Sequence, residues 1–264
     1  MVTSEKRWSL PCRSSAARVV VRLMLVSPSI FAGGLRASPP EFDAQAAYGY
    51  LLRQCEFGPR NPGSEGARRC LEWLRGELEE RTPEVELQRF DAVEGLTGVE
   101  RSLTNIVARF PGEGPTLMLC AHWDTRSFAD CDPDTAARRR PILGANDGAS
   151  GVAVLLEIAR IAARHPPPRE LLIVLFDGED MGKAHSPEEF ALGSRFWSFH
   201  PVPKLPREAI LLDMIGDADL SIPIEPFSDR NAPGLRGYLW ELAAQLGLDA
   251  FADRPGPPVE DDHI

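Results

Sequence analysis

The chain has 264 residues, a length that suits one large α/β domain or two small ones. Its apolar fraction of 43% supports a sizeable core, and its net charge of −10 at pH 7 argues against a nucleic-acid or anionic-membrane partner. No two of the five cysteines have C-x-x-C spacing, which excludes a zinc knuckle and a thioredoxin-type redox motif.

Residues 1–40 are predicted to be a leader, separate from a domain expected over residues 41–264. Arginines precede the apolar residues 23–26 and small residues follow them, which is typical of an export signal, although the apolar stretch is short and interrupted by Pro28. A working signal predicts a secreted or periplasmic protein; without one, the protein is expected in the cytoplasm. The sequence has no run of about 20 apolar residues, so stable membrane insertion is not expected. We expect a monomer.

Apolar periodicity predicts alternating helices and strands. We expect helices over residues 42–54, 64–80, 149–164 and 235–246, with Ser64 capping the second, and strands over residues 105–110, 116–121, 171–176 and 209–215. This alternation predicts an α/β sandwich with a largely parallel central sheet.

The six apolar residues of Leu171–Phe176 run directly into Asp177, Glu179 and Asp180. Adjacent carboxylates repel each other, and burying them is costly unless a positive charge lies beside them. A metal ion meets that need, with one carboxylate as ligand and the other as acid/base. Taken alone, the same residues are explained equally well by a strand that ends in a solvated acidic turn.

Three further polar groups are predicted at the same edge of the sheet. His122 and Asp124 follow the strand 116–121, Asp147 precedes the helix 149–164, and Asp213 interrupts an apolar strand. Ligands of open α/β sheets bind at the carboxyl ends of the strands, so these side chains are expected to converge. Each also has a simpler explanation: His122 as a core histidine, Asp147 as a helix cap. Asp213 needs a strong partner in its apolar surroundings.

These segments resemble the zinc-dependent aminopeptidases and their relatives, the glutaminyl-peptide cyclotransferases, in order and spacing from about Phe42 to Ile264. The matching motifs are His122-Trp123-Asp124, residues 144–151 (GANDGASG), residues 177–180 (DGED) and residues 212–216 (LDMIG). Gly193-Ser194-Arg195 and residues 261–264 (DDHI) are similar to the cyclotransferase branch in particular. The resemblance implies a zinc-exopeptidase-like fold, a three-layer αβα sandwich with a mostly parallel, mixed sheet.

The resemblance also implies roles at a zinc site. Asp147 and Asp180 are implied zinc ligands, Asp180 standing where many relatives carry Glu, and Glu179 is the implied general acid/base. Carboxylate oxygens are ordinary zinc ligands, so an Asp in place of a Glu is chemically mild. Asp124 is implied to orient His122.

The two branches of the family imply different roles for His122 and Asp213. In the two-metal enzymes, both bind a second zinc. In the one-metal cyclotransferases, Asp213 instead joins a catalytic hydrogen-bond network with the residue that matches Asp261. His263 matches the histidine of its motif, which is not a ligand in relatives.

One departure concerns the last zinc ligand of the family, a histidine well downstream of the Asp261-Asp262-His263 motif. The sequence ends at Ile264, before that segment. We therefore expect a C-terminally truncated domain that lacks the final strand and helix.

Three functions remain open from the sequence. The leading hypothesis is zinc-dependent cyclisation of N-terminal glutamine to pyroglutamate, with release of ammonia, on peptides with a free N-terminus. The second is a zinc metalloaminopeptidase, in which Glu179 activates water to remove the first residue. The third is a non-catalytic binding domain on the same fold. One bound zinc favours cyclisation, and two favour hydrolysis.

Overall fold

The computed structural model describes residues 40–263, so the predicted leader lies outside the described residues except for Pro40. No helix within residues 40–263 combines the length and the apolar character needed to cross a membrane. The described elements follow in chain order: α1 (Ala44–Glu56), α2 (Glu65–Glu79), β1 (Val85–Val93), β2 (Glu100–Phe110), β3 (Leu117–His122), α3 (Ala149–Arg164), β4 (Leu171–Phe176), α4 (Leu192–Phe199), β5 (Glu208–Leu211), β6 (Ile222–Ile224), α5 (Pro226–Asn231), α6 (Pro233–Leu246) and β7 (Phe251–Pro255).

A five-stranded sheet with strand order β1-β2-β4-β3-β5 forms the centre of the domain. Strand β3 pairs in parallel with β4 and β5, whereas β2 is antiparallel to both β1 and β4. Only β2 therefore runs against the other strands of this sheet, and the predicted mostly parallel, mixed sheet is confirmed. Residues at the ends of β3, β4 and β5 consequently meet at one edge.

Helices cover both faces of this sheet. On one face, α2 and α3 pack Leu74, Leu155 and Leu156 against strand residues such as Ile173 and Leu175, all of them fully buried. On the other face, Trp197 of α4 packs against β4, with its ring in edge contact with Phe176. This arrangement confirms the expected three-layer αβα sandwich. The alternating inward side chains of β3 and β4 supply both cores, which explains why these strands read as continuous apolar runs.

The predicted elements differ most from the structure near β5. Helix α3 and strand β4 have the predicted bounds, and Ser64 caps α2 by accepting a hydrogen bond from the Ala67 N–H. The strand expected to reach residue 215, however, ends at Leu211, and Met214 has a left-handed φ of 48°. The prediction was wrong there because the chain turns after Leu211 and carries Asp213 out of the sheet.

Candidate metal centre and active site

Three predicted site residues form one cluster at the carboxyl end of β3. The His122 Nε2 atom lies 2.9 Å from Asp147 Oδ1 and 3.2 Å from Asp213 Oδ1. The three donor atoms lie within 4.8 Å of one another. Ligands about 2.1 Å from a tetrahedral zinc are about 3.4 Å apart, so these separations and the donor types fit zinc.

The loop before α3 holds Asp147 against His122 through two glycines with positive φ. Gly148 has φ 88°, and a Cβ there would lie 2.6 Å from the Asp124 carbonyl oxygen. Gly144 has φ 65°, and a Cβ there would lie 2.2 Å from the Thr125 methyl group. Any larger residue would separate this loop from the residues that follow β3, so glycine is required at both positions.

The start of α3 also fixes the loop that carries Asp213. The Ser150 hydroxyl accepts a hydrogen bond from the Ile215 N–H at 3.1 Å, and the Asn146 side-chain oxygen accepts one from the Gly216 N–H at 2.7 Å. At Gly151, a Cβ would lie only 2.0 Å from the Leu212 carbonyl oxygen. These contacts join the segments of Asp147 and Asp213 directly, which brings their carboxylates to the same imidazole.

Asp124 connects His122 to the loop after β4. Its fully buried carboxylate lies 3.4 Å from His122 Nδ1. The same carboxylate accepts hydrogen bonds from the Glu179 and Asp180 N–H groups at 3.0 and 3.2 Å. In this geometry Nδ1 of the imidazole faces Asp124, and Nε2 faces Asp147 and Asp213.

The electrostatics of this cluster favour a positive charge. Burial disfavours the imidazolium of His122, but hydrogen bonds to Asp124, Asp147 and Asp213 outweigh burial and hold the pKa of His122 well above its usual value. Burial likewise opposes ionisation of Asp147, yet the contact with His122 holds the pKa of this carboxyl below its ordinary value. A cation bound among these ligands would be stabilised by the same carboxylates.

Glu179 and Asp180 have different surroundings at the end of β4. Burial raises the pKa of Glu179 to about 10. The attraction of His122 opposes this shift, and the nearby acids Asp124, Asp180 and Asp262 add to it. Burial also raises the pKa of Asp180 to about 7, although Arg126 Nη1 lies 2.7 Å from Asp180 Oδ1. A strongly perturbed, buried carboxyl beside a candidate metal centre is typical of a catalytic acid/base.

Asp261 interacts electrostatically with Asp213. Burial and the neighbouring Asp213 carboxylate raise the pKa of Asp261. Its carboxylate accepts a hydrogen bond from the Asp262 N–H, and His263 Nε2 lies 3.3 Å from Glu225, the residue that caps α5. These contacts tie the last described residues to the start of α5, with the His263 side chain directed at Glu225.

Sequence patterns did not indicate two arginines at this site. Arg126 bridges Asp180 and Asp130, with its Nε 2.7 Å from Asp130 Oδ1. Arg60, in the turn between α1 and α2, is fully buried and donates hydrogen bonds to the loops of the site. Neither arginine belongs to a motif, and the partners that connect them to the site lie far away in sequence, so no local signal identifies them.

Comparison with known proteins establishes the family. The sequence model of Peptidase family M28 matches residues 105–264, which include every candidate site residue. The chain belongs to Peptidase family M28. The crystal structure of Tannerella forsythia glutaminyl cyclase is 39% identical with a TM-score of 0.81, and covers 85% of this chain and 80% of its own. A leucine aminopeptidase precursor from Bacteroides thetaiotaomicron is 37% identical with a TM-score of 0.80 and the same coverage.

Curated M28-like sequences are more distant. A protein of Pyrenophora tritici-repentis named "Probable zinc metalloprotease" is 26% identical over 166 residues. The match covers 56% of this chain, and the chain spans about a third of the length of that relative (33%). The relatives therefore include both cyclases and peptidases.

Proposed function

We propose that this M28 protein is a zinc-dependent glutaminyl-peptide cyclotransferase. Its substrate would be a peptide with a free N-terminal glutamine, and its products would be the pyroglutamyl peptide and ammonia. The observation that carries the proposal is the electrostatic interaction of the half-buried Asp261 with Asp213, a member of the His122–Asp147–Asp213 cluster. Peptide hydrolysis needs a base and a metal centre, in which Asp213 would be a ligand, but it has no use for Asp261 beside it.

In the one-zinc reaction the ligands would be Asp147 and Asp180, with Asp180 oriented by Arg126 through its Oδ1 atom, while Asp213 stays free for the substrate. Zinc held there supplies Lewis-acid polarisation of the side-chain amide carbonyl. The metal charge would also favour the ionised form of Glu179, whose pKa of about 10 otherwise keeps it protonated at neutral pH.

Glu179 moves the proton in the proposed reaction. The α-amino nitrogen of the substrate attacks the amide carbon of its own side chain, forming the new C–N bond. Glu179 takes the proton that this nitrogen loses and delivers it to the departing amide nitrogen, which leaves as ammonia when the old C–N bond breaks. The buried position of Glu179 protects this transfer from bulk water.

Asp213 and Asp261 hold the leaving amide. Burial and the neighbouring Asp213 carboxylate raise the pKa of Asp261, which favours its protonated form. One can then donate a hydrogen bond to the substrate while the other accepts one from the amide NH₂. This arrangement binds a primary amide and favours glutamine over leucine or other apolar residues at the N-terminus.

A paired substrate assay tests the proposal. Zinc-loaded protein is incubated with a peptide that begins with glutamine and with the same peptide beginning with leucine. We expect ammonia and a pyroglutamyl peptide from the first and no reaction with the second. Release of free glutamine or leucine would overturn cyclisation in favour of the alternative below, and no turnover with either would favour a non-catalytic domain.

The second candidate is a zinc metalloaminopeptidase, and one observation favours it. The three side chains that the structure brings together, His122, Asp147 and Asp213, are those expected to serve a two-metal site. Asp180 is held by Arg126 instead. Zinc stoichiometry separates the candidates: two tightly bound ions per chain support hydrolysis, and one supports cyclisation.

A further inference from the structure

Arg60 lies in the turn between α1 and α2, fully buried, and its guanidinium donates only to backbone carbonyls. Nε donates to the Trp123 oxygen at 3.1 Å, Nη1 to Leu143 at 2.9 Å and Nη2 to Gly144 at 2.7 Å. Its own N–H donates to the Thr125 hydroxyl at 2.8 Å. A buried cation without a carboxylate partner is costly, so this position requires a specific reason.

The acceptors of Arg60 belong to two loops that carry the candidate metal ligands. Trp123 and Thr125 follow His122 at the end of β3 and flank Asp124. Leu143 and Gly144 lead into Asp147. One planar guanidinium therefore joins the two loops, and its several donors in a fixed plane set their relative position better than a single ammonium could.

Arg60 also places a fixed positive charge beneath the acids of the site. Asp124 and Asp147 are among the groups that interact electrostatically with it. The glycines of the second loop leave room for the guanidinium, because a Cβ at Gly144 would lie 3.0 Å from Nη2. Packing thus places Arg60 where it can set the position of Asp147.

We propose that Arg60 is a positioning residue for the metal centre: by holding residues 123–125 against residues 143–148, it keeps Asp147 within ligand distance of His122. This inference rests on the proposed metal-dependent function. It predicts that loss of the guanidinium loosens these two loops selectively and weakens zinc binding, while the sheet stays intact.

Hydrogen exchange of the zinc-free protein tests the geometric half, comparing Arg60→Met and Arg60→Lys with the wild type. We expect exchange about tenfold faster in residues 123–126 and 142–149 of Arg60→Met, since a lost hydrogen bond of about 1.4 kcal/mol corresponds to that factor. Strand β1 should exchange as in the wild type. Equal acceleration everywhere, or none in the two loops, would overturn the proposal.

The control is Arg81→Met, because the Arg81 side chain is only 10% exposed and bonds Glu77 and Tyr50 away from the site. It should leave the exchange of both loops unchanged. If Arg60→Met fails to fold, Arg60→Lys is compared with the wild type instead, because lysine keeps the positive charge but lacks the planar set of guanidinium donors. It should accelerate the loops by a smaller factor than tenfold, and wild-type exchange in its loops would overturn the proposal.

Zinc affinity, measured by competition with a chelator, tests the functional half. We expect Arg60→Met to bind zinc about 10–100-fold more weakly, the range typical of residues that orient metal ligands, with part of the loss recovered in Arg60→Lys. Arg81→Met should bind zinc like the wild type. Unchanged zinc affinity in Arg60→Met would refute the inference. A wild-type chain that binds no zinc would refute the proposed function instead. In that case the hydrogen-exchange result alone would show whether Arg60 positions the two loops.

Discussion

The two ends of strand β4 carry buried acids in opposite electrostatic settings. At the start, Glu170 is bonded to the Thr116 hydroxyl at 2.5 Å, to Arg109 at 2.5 Å and to Lys204 at 3.3 Å. The Thr116 hydrogen bond and the two cations lower the pKa of Glu170 to about 2 against the cost of burial. An acid that is paired in this way stabilises the folded protein at neutral pH.

At the other end of β4, the acids outnumber their cationic partners. Burial raises the pKa of Glu179 to about 10, and burial together with Asp124 raises that of Asp177 well above its usual value. Such groups cost folding free energy at neutral pH. The comparison shows that acids at one end of the strand serve stability, while those at the other are retained at a cost that catalysis would explain.

The largest effect should come from Glu179→Gln. Because Glu179 moves the proton, turnover of the zinc-loaded protein should fall about 10²–10⁴-fold. Zinc affinity and the unfolding free energy of the zinc-free protein should not fall, since an isosteric amide is neutral and removes the cost of protonating this acid on folding. Activity assays and denaturant unfolding check both. Glu188→Gln replaces an exposed acid of the same segment and should change neither turnover nor unfolding free energy. Near-normal turnover in Glu179→Gln would show that the acids at the two ends of β4 do not differ in role.

Glu170→Gln should produce the opposite pattern. We expect a loss of about 3 kcal/mol in unfolding free energy, because Arg109 and Lys204 lose a buried charged partner, and no change in turnover per folded molecule. Glu84→Gln is the matched control, since Glu84 also bonds Arg109 but is largely exposed, and it should cost less than about 1 kcal/mol. Denaturant unfolding that ranks the two variants equally would contradict the assignment.

The contribution of Glu170 should also depend on pH. Its folded pKa of about 2 lies below the ordinary value of 4.5, so the unfolded chain binds the proton first as the pH falls. The stabilisation is present above pH 4.5 and is lost towards pH 2; the free-energy difference between wild type and Glu170→Gln should fall by roughly half between pH 7 and pH 3. A difference that stays constant over this range would exclude the ionised form as its source.

A pair of arginines offers the smallest and sharpest comparison. Arg126→Met removes the cation that holds Asp180, so we expect turnover to fall about tenfold with a stability loss of about 1 kcal/mol. Arg109→Met removes the cation that holds Glu170 and should cost about 2 kcal/mol without changing turnover. Kinetics and thermal unfolding of both variants test these expectations. A larger loss of turnover in Arg109→Met than in Arg126→Met would contradict the roles given to the acids at the two ends of β4.

How far the sequence predicted the fold depends on how each element is buried. Strand β4 and helix α3 were predicted with their correct bounds because a fully buried strand is continuously apolar and a long amphipathic helix has a clear period. Strand β1 was missed because it lies at the edge of the sheet with charged residues on its exposed side. Helix α4 is only 8 residues long, too short for a periodic signal.

The candidate site was predictable in its residues but not in its contacts. The position of His122 and Asp147 at element ends places them at one edge of the sheet, and the structure joins them at 2.9 Å. The pairing of Asp180 with Arg126 and the support from Arg60 could not be predicted, because both depend on loop conformations between residues distant in sequence. The turn after Leu211, which frees Asp213, likewise depends on contacts with α3.

Zinc titration of the zinc-free protein tests the central claim, that the edge of the sheet beside His122 is a metal centre. The wild type should bind zinc saturably and gain thermal stability that increases with zinc concentration. Asp147→Asn should lose both effects, while Asp219→Asn, at an exposed loop acid, should keep them. Saturable binding that survives in Asp147→Asn, or a wild type that shows none, would contradict the account.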